Sequence, residues 1–298
     1  MSPSQGPQSL SGTSSGASLG CHKPQDVIRM KPMLRLFLAS CLSCLCFTAL
    51  PALAQAPVIG IVLMHGKGGS PNKHVNTLAD KLQEQGYMVA NLNMPWSGTR
   101  DYDVDTDAAD KQIEEAFATL KAKGAHKFFV SGHSMGGAFA LHYASKYPVD
   151  GVIAIAPGGS TGSQVYLKEV ASSIEQAQKL VAEGKGGEKN QFDDFETSKG
   201  HTPVLTTATN YLSWFASTGA MNYALSAKQL PTQTPVLWIV AKRDYPGLIR
   251  FNVPFFRSFE GNSQSRLYRP DSDHLGAPAA SVEEIRAWTQ AVASGTTK

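Results

Sequence analysis

From Val58 onward the chain alternates short apolar runs with longer amphipathic stretches, and this alternation restricts the fold more than any other feature. Val58–Met64, Met88–Leu92, Phe128–Val130, Val152–Ala156 and Val236–Ala241 have the length and composition of strands. The last two are apolar at every position, the pattern of strands covered on both faces. Between the runs, Val75, Leu78 and Leu82 share one helical face, Ile113, Phe117 and Leu120 share another, and Ala138–Tyr147 is Ala-rich. Ile285, Trp288 and Val292 fall on one side of a last helix over Val282–Val292. Strands alternating with helices build βαβ crossovers and a parallel sheet. The expected fold is therefore α/β, a mostly parallel sheet flanked by helices, in one domain over 57–298.

One stretch does not fit a simple crossover. The residues between Pro157 and Pro235 contain a predicted helix, Ser163–Ala182, with Ser163 as its N-cap. A Gly/Lys/Glu linker, Gly184–Lys189, and an aromatic stretch of Tyr211, Trp214, Phe215 and Tyr223 follow. An insertion of this length on an α/β sheet reads as a cap or lid over about 158–233. A solvated loop with a few buried aromatics is the plain alternative.

Residues 1–56 have a different character. Residues 1–29 are rich in Ser, Gly, Pro and Gln, too polar to pack, and read as disordered or as upstream of the true start. Residues 30–56 read as a secretory signal peptide: Lys31 and Arg35, the apolar run Leu36–Leu50, then small residues up to Ala54 and Ala56. The run is shorter than the ~20 apolar residues of a membrane span. A periplasmic or secreted protein is expected, with no transmembrane segment in the mature chain. Leu38-Ala39-Ser40-Cys41 resembles a bacterial lipoprotein box, so anchoring at Cys41 is the alternative. All four cysteines lie in this leader, and cleavage would leave no thiol. The net charge of +3 also comes from the leader, and the rest of the chain balances, which gives no footprint for nucleic acid.

The string G-x-S-x-G occurs four times, beginning at Gly12, Gly16, Gly132 and Gly158. It has chemical meaning only at a sharp turn from a buried strand directly into a helix, where glycines let the two approach. The first two copies lie in the polar leader. Ser160 follows a strand, but Thr161-Gly162-Ser163 makes a loop before the next helix. Ser134 follows Phe128-Phe129-Val130 closely, and Gly136, Gly137 and Ala138 open a helix. Ser134 is the candidate nucleophile, and Met135 N–H, at the helix start, a candidate donor to an oxyanion.

With Gly132-His133-Ser134-Met135-Gly136-Gly137, upstream His65-Gly66-Lys67-Gly68-Gly69, and Asp244 followed by His274, the chain resembles the serine α/β-hydrolase superfamily, in particular its esterase/lipase-like members. The resemblance covers Val58–Val292. It implies the order nucleophile, acid, base, and only His274 among eight histidines follows Asp244. Asp244 then orients His274, and Lys67 N–H is the second oxyanion donor. His201 is the rival base and Asp271 the fallback acid; a surface pairing with Arg243 is the plain alternative for Asp244. Trp96, Trp214, Phe215 and Tyr245 are candidates to line an apolar acyl pocket.

Asp101-Tyr102-Asp103-Val104-Asp105-Thr106-Asp107 imitates the start of a calcium loop. An EF-hand loop needs Gly at position six and Glu at twelve, where this chain has Thr106 and Gln112. These acids read instead as residues near a helix N-terminus. No metal and no organic cofactor are expected. The expected function is hydrolysis of a small-molecule carboxylic ester through an acyl-enzyme. An amidase or peptidase of the same fold, or a non-catalytic binding protein on this scaffold, are the alternatives.

Overall fold

The structure, a computed structural model, describes residues 57–197 and 199–296. The signal-peptide, lipoprotein-box and cysteine expectations lie outside the described residues. Among the described residues no helix is long and apolar enough to cross a membrane.

Six strands form a parallel sheet: β1 (Ile59–Met64), β2 (Met88–Leu92), β3 (Lys127–His133), β4 (Gly151–Ile155), β7 (Val236–Ile239) and β8 (Arg266–Tyr268). Their order is β2-β1-β3-β4-β7-β8, with every neighbouring pair parallel. Residues of β1 alternate between two cores. Val62 and Met64 face one side; Ile59, Ile61 and Leu63 face the other. The second core is closed by α1 (Asn76–Glu84) and α9 (Val282–Ala293), through Leu78, Leu82, Ile285 and Trp288. The first is closed by α2 (Thr106–Ala122) and α3 (Met135–Lys146), through Ile113, Leu120, Phe139 and Leu141. The uniformly apolar strand runs of the sequence follow from this double cover.

The segment between β4 and β7 departs from expectation in two ways. The single helix expected over Ser163–Ala182 is two, α4 (Gln164–Glu169) and α5 (Ala171–Ala182). They break at Val170, whose side chain is fully buried. Ser163 caps α4, accepting from Tyr166 N at 3.1 Å. Beyond α5 runs an antiparallel hairpin, β5 (Lys189–Glu196) and β6 (Gly200–Thr207), that the sequence did not signal. It buries only every second residue, Phe192 and Asp194 on β5 and Val204 and Thr206 on β6. Two of those four are polar, and Pro203 stands within β6, so the run lacks the apolar signature of a strand. Helices α6 (Ala208–Phe215) and α7 (Tyr223–Gln229) complete the segment. It packs on the loop after β2, where Thr206 Oγ1 donates to Tyr102 O at 2.6 Å and Trp214 Nε1 donates to Val104 O at 2.8 Å, and on the loop after β1, where Lys67 pairs with Asp194. After β7, α8 (Pro246–Phe255) leads towards β8.

Helix α3 approaches β3 closely enough to exclude any side chain at the crossing. A Cβ built on Gly132 would stand 2.2 Å from the carbonyl carbon of Gly136. One on Gly136 would stand 2.7 Å from Met64 O. Backbone, unlike a flexible side chain, cannot move aside without displacing the helix. Gly132→Ala is therefore expected to destabilise the fold by about 3 kcal/mol, read as a lower urea midpoint at unchanged m-value.

Candidate active site

Strands β1 and β3 are neighbours although β2 lies between them in the chain, so the winding of the sheet reverses there. At such a point the loops leaving the carboxyl ends diverge and leave a crevice. Lys67 follows β1 and Ser134 follows β3.

Ser134 occupies the one-residue turn between β3 and α3 with φ 54° and ψ −115°. A side chain at this φ is strained, and the strain persists only where the surroundings enforce it. Here Ser134 N donates to Ile155 O at 2.8 Å, and Ser134 O accepts from Gly137 N, Ala138 N and Gly158 N at 3.0, 3.2 and 3.2 Å. The side chain is half-buried. Gly66 lies against it, since a Cβ there would come within 3.3 Å of Ser134 Cβ. A Cβ on Gly158 would stand 3.5 Å from both Ser134 Oγ and Leu248 Cδ1. Gly158 and Leu248 are thus neighbours of the hydroxyl that sequence reasoning missed. In the sequence Gly158 reads only as the first residue of the Ser160 motif, and nothing in the pattern of α8 distinguishes Leu248.

His274 Nδ1 is bonded to Asp244 Oδ1 at 2.8 Å, in a pair whose side chains are 11% and 0% exposed. Since the carboxylate accepts, Nδ1 carries a proton, so in the neutral ring Nε2 is the nitrogen with the lone pair. Asp244 Oδ1 also accepts from Tyr245 N at 2.7 Å, which fixes the carboxylate. Arg243, the alternative partner of Asp244, pairs instead with the exposed Asp271. Asp273 Oδ1 is taken by Gly276 N at 2.7 Å.

His133 joins this pair to Ser134. Its ring lies 4.8 Å from that of His274, and its Nε2 is 2.9 Å from His274 O. A carbonyl accepts, so His133 is the Nε2–H tautomer. Burial, then the neighbouring His274, push its pKa down to about 3. No hydrogen bond joins Ser134 Oγ to His274; such serine–histidine contacts are often long in a ligand-free protein and tighten when substrate binds. His201 stands on β6, 3.3 Å from Glu169, and Ser160 lies in the loop between β4 and α4.

The loop after β1 is built on a neutral histidine. His65 Nε2 accepts from Met94 N at 3.1 Å, so Nδ1 bears the proton and donates to Gly66 O at 2.8 Å. Burial lowers the His65 pKa and keeps the ring in this state. Trp96 Nε1 donates to His65 O at 2.8 Å, and Gly68 N to Trp96 O at 2.9 Å. Among the described residues, Lys67 N–H and Met135 N–H have no acceptor. The Lys67 ammonium pairs with Asp194 and, at 2.9 Å, with Glu196.

The four side chains expected to line an acyl pocket divide. Tyr245 is exposed, with its ring 5.0 Å from that of His274. Trp96, Trp214 and Phe215 are wholly buried. Both indoles satisfy their N–H on backbone carbonyls, and the rings pack edge to face on one another and on Tyr102 and Phe139. They belong to the core because their neighbours leave no face free. The acidic run after β2 is divided among separate partners. Asp105 caps α2, accepting from Ala108 N at 2.9 Å, Asp103 pairs with Arg100, and Asp107 with Lys146.

A parallel sheet that presents a strained serine between strand and helix, with a buried Asp–His pair beside it, defines an α/β protein of the nucleophile-elbow class. The chain belongs to the alpha/beta hydrolase fold family, whose model matches residues 60–244. His274 lies beyond that span, so its place in the site rests on the geometry above. A thermostable monoacylglycerol lipase of Bacillus sp. (strain H-257) is 28% identical over 139 residues, 42% of this chain and 55% of that protein. Lipase 3 of Moraxella sp. (strain TA144) is 36% identical over 93 residues, 30% of this chain and 28% of that one. The matched stretches thus span about half or less of these relatives. Among solved structures, the alpha/beta hydrolase GrgF from Penicillium sp. sh18 superposes with a TM-score of 0.55 at 16% identity, covering 82% of this chain and 92% of its own. The siderophore hydrolase EstB from Aspergillus fumigatus gives 0.51 at 15%, covering 80% and 92%. At these identities the likeness is one of fold.

The buried imidazole of His133 has a measurable consequence. In the unfolded chain it binds a proton below about pH 6.5, and in the folded chain only near 3. The unfolded state therefore takes up more protons in that window, and stability falls as pH is lowered through it. His133→Gln, which keeps a donor for His274 O, is expected to reduce the slope of unfolding free energy against pH by about 1.4 kcal/mol per unit between pH 6 and 4, measured by urea titration.

Proposed function

We propose that the protein hydrolyses carboxylic esters through a Ser134 acyl-enzyme. The observation that carries this is the 2.8 Å bond from His274 Nδ1 to buried Asp244, in a pair that His133, the residue before the strained Ser134, holds through the backbone carbonyl of His274. A serine hydroxyl is a weak nucleophile until a base takes its proton, and an imidazole held by a carboxylate is such a base.

Ser134 Oγ attacks the ester carbonyl carbon while its proton passes to His274 Nε2. Asp244 stabilises the imidazolium that forms. The carbonyl oxygen becomes an oxyanion and takes two donors that are unengaged among the described residues, Met135 N–H and Lys67 N–H. As the intermediate collapses, His274 returns the proton to the departing alkoxide, leaving Ser134 acylated. Water then repeats the sequence, giving up its proton to His274 and releasing the acid. One consideration favours an ester over an amide: both curated relatives are named lipases.

The test is turnover of p-nitrophenyl esters of increasing acyl length. Ser134→Ala is expected to lower kcat by about 10⁴-fold or more, and Asp244→Asn by about 10⁴-fold, with folding retained. Equal turnover in wild type and Ser134→Ala would remove the hydroxyl from the reaction. A fluorophosphonate is expected to modify the wild-type chain at Ser134, as read by peptide mass.

A further inference from the structure

Resting on this reading, we infer that Asp194 is a positioning residue, through which the β5–β6 hairpin sets the register of the oxyanion site. The hairpin is fastened separately to both residues that supply the N–H donors.

The first fastening runs through a side chain. Lys67, whose backbone N–H is one donor, sends its ammonium to Asp194 and Glu196 on β5. The Asp194 side chain is only 3% exposed, and its carboxylate is fully engaged. Oδ1 accepts from Tyr166 OH at 3.0 Å and from Phe195 N at 2.7 Å, and Oδ2 has no partner but the ammonium. Tyr166 stands on α4, the first helix after the Gly158 loop that borders the nucleophile. Asp194 therefore ties together the loop after β1, the hairpin and the helix that follows the Ser134 surroundings. A charge this buried holds its partner firmly, because separating the two would leave each unsolvated. Glu196, although burial pushes its pKa upward, is held below the ordinary value by Lys67 and Lys199. With both carboxylates on it, the Lys67 ammonium is neutralised, and its role is mechanical rather than that of a cation for substrate.

The second fastening runs through Tyr102. Its hydroxyl donates to Met135 Sδ at 3.4 Å, and Met135 supplies the other N–H. Asp101 and Tyr102 both have positive φ, 47° and 56°, a conformation that two successive side-chain-bearing residues hold only under constraint. The constraint comes from β6: Leu205 N donates to Asp101 Oδ2 at 3.2 Å, and Thr206 Oγ1 to Tyr102 O at 2.6 Å. A donor pair stabilises an oxyanion only if both hydrogens point at one spot. One hairpin fastened to both sides provides the means to hold them in register.

Replacing the Lys67 side chain provides the sharpest test, because the only group assigned to catalysis there is the backbone N–H, which every substitution except proline retains. Lys67→Met and Asp194→Asn are expected to lower kcat by about 10²-fold, towards the 10²–10³-fold loss of a whole oxyanion donor. KM should change less than about twofold, since the oxyanion contact strengthens in the transition state. Lys67→Arg, which can keep the pair, should restore most of the loss. Each variant is also compared on an ester and its matched thionoester, whose sulfur accepts hydrogen bonds poorly. The wild type should prefer the oxygen ester strongly, and Lys67→Met and Asp194→Asn should lose that preference. General loosening of the protein would lower both rates together and leave the ratio unchanged. An unchanged ratio in a folded Lys67→Met or Asp194→Asn, whether or not kcat falls, would overturn the inference. Should Asp194→Asn not fold, Lys67→Met alone decides. Ser134→Ala, run alongside, separates this failure from failure of the ester-hydrolase reading. If it keeps full activity, the reading falls; if it is inactive while the clamp variants are normal, only the clamp falls.

Discussion

The contact between the end of β3 and the first turn of α3 is the constraint on which the rest of the site depends. With no side chain on Gly132 or Gly136, helix and strand approach until a single residue must complete the turn, and Ser134 takes a left-handed φ of 54° as a result. The strain is held by four backbone hydrogen bonds reaching β4, α3 and the Gly158 loop. Their consequence is chemical. The hydroxyl stands partly exposed beyond the carboxyl end of the sheet, and the helix behind it begins with an unpaired N–H at Met135. The proposed nucleophile and one proposed oxyanion donor are thus two aspects of one backbone event.

Electrostatics near the serine are arranged through neutral histidines rather than through charge. His65 and His133 are each locked as one tautomer by a carbonyl, and burial depresses both pKa values. Each holds a backbone segment in place: His65 shapes the loop that carries Lys67, and His133 bridges the residue before the nucleophile to the residue assigned as base. Cations at these positions would oppose protonation of His274, the step that the proposed chemistry requires. Asp244, the one buried carboxylate bonded to His274, favours that step.

Much of this was legible in the sequence, for identifiable reasons. The parallel sheet was legible because strands covered on both faces have no reason to alternate, so Val152–Ala156 and Val236–Ala241 stood out. Ser134 could be separated from three decoys because its strand runs into its helix without a loop, a property of local order alone. Asp244 and His274, by contrast, were placed by family resemblance. Thirty residues separate them, and no periodicity predicts that they meet. The hairpin was hidden because its inward positions include Asp194 and Thr206, whose burial is satisfied by partners remote in sequence: Lys67, Tyr166 and Tyr102. A buried acid is indistinguishable from an exposed one until its cation is found.

The aromatic residues of the insertion show the same limit from the other side. Trp214 and Phe215 are candidates for substrate contact on sequence alone because they are large aromatics in the insertion, a spacing that serves a core equally well. The segment is not loop-like: it has its own strands and helices, and these need a core. Trp214 on α6 supplies part of it, packing on Trp96 and Phe139 at centroid distances of 5.8 and 5.2 Å, with its N–H spent on Val104 O. Those rings join the insertion to α3, the helix behind the nucleophile, so their contribution to the site is stiffness. In the proposed reaction an acyl chain would meet the residues left uncovered around Ser134: Tyr245 against His274, and Leu248 across the bare Cα of Gly158, where even one added methyl would stand 3.5 Å from Ser134 Oγ.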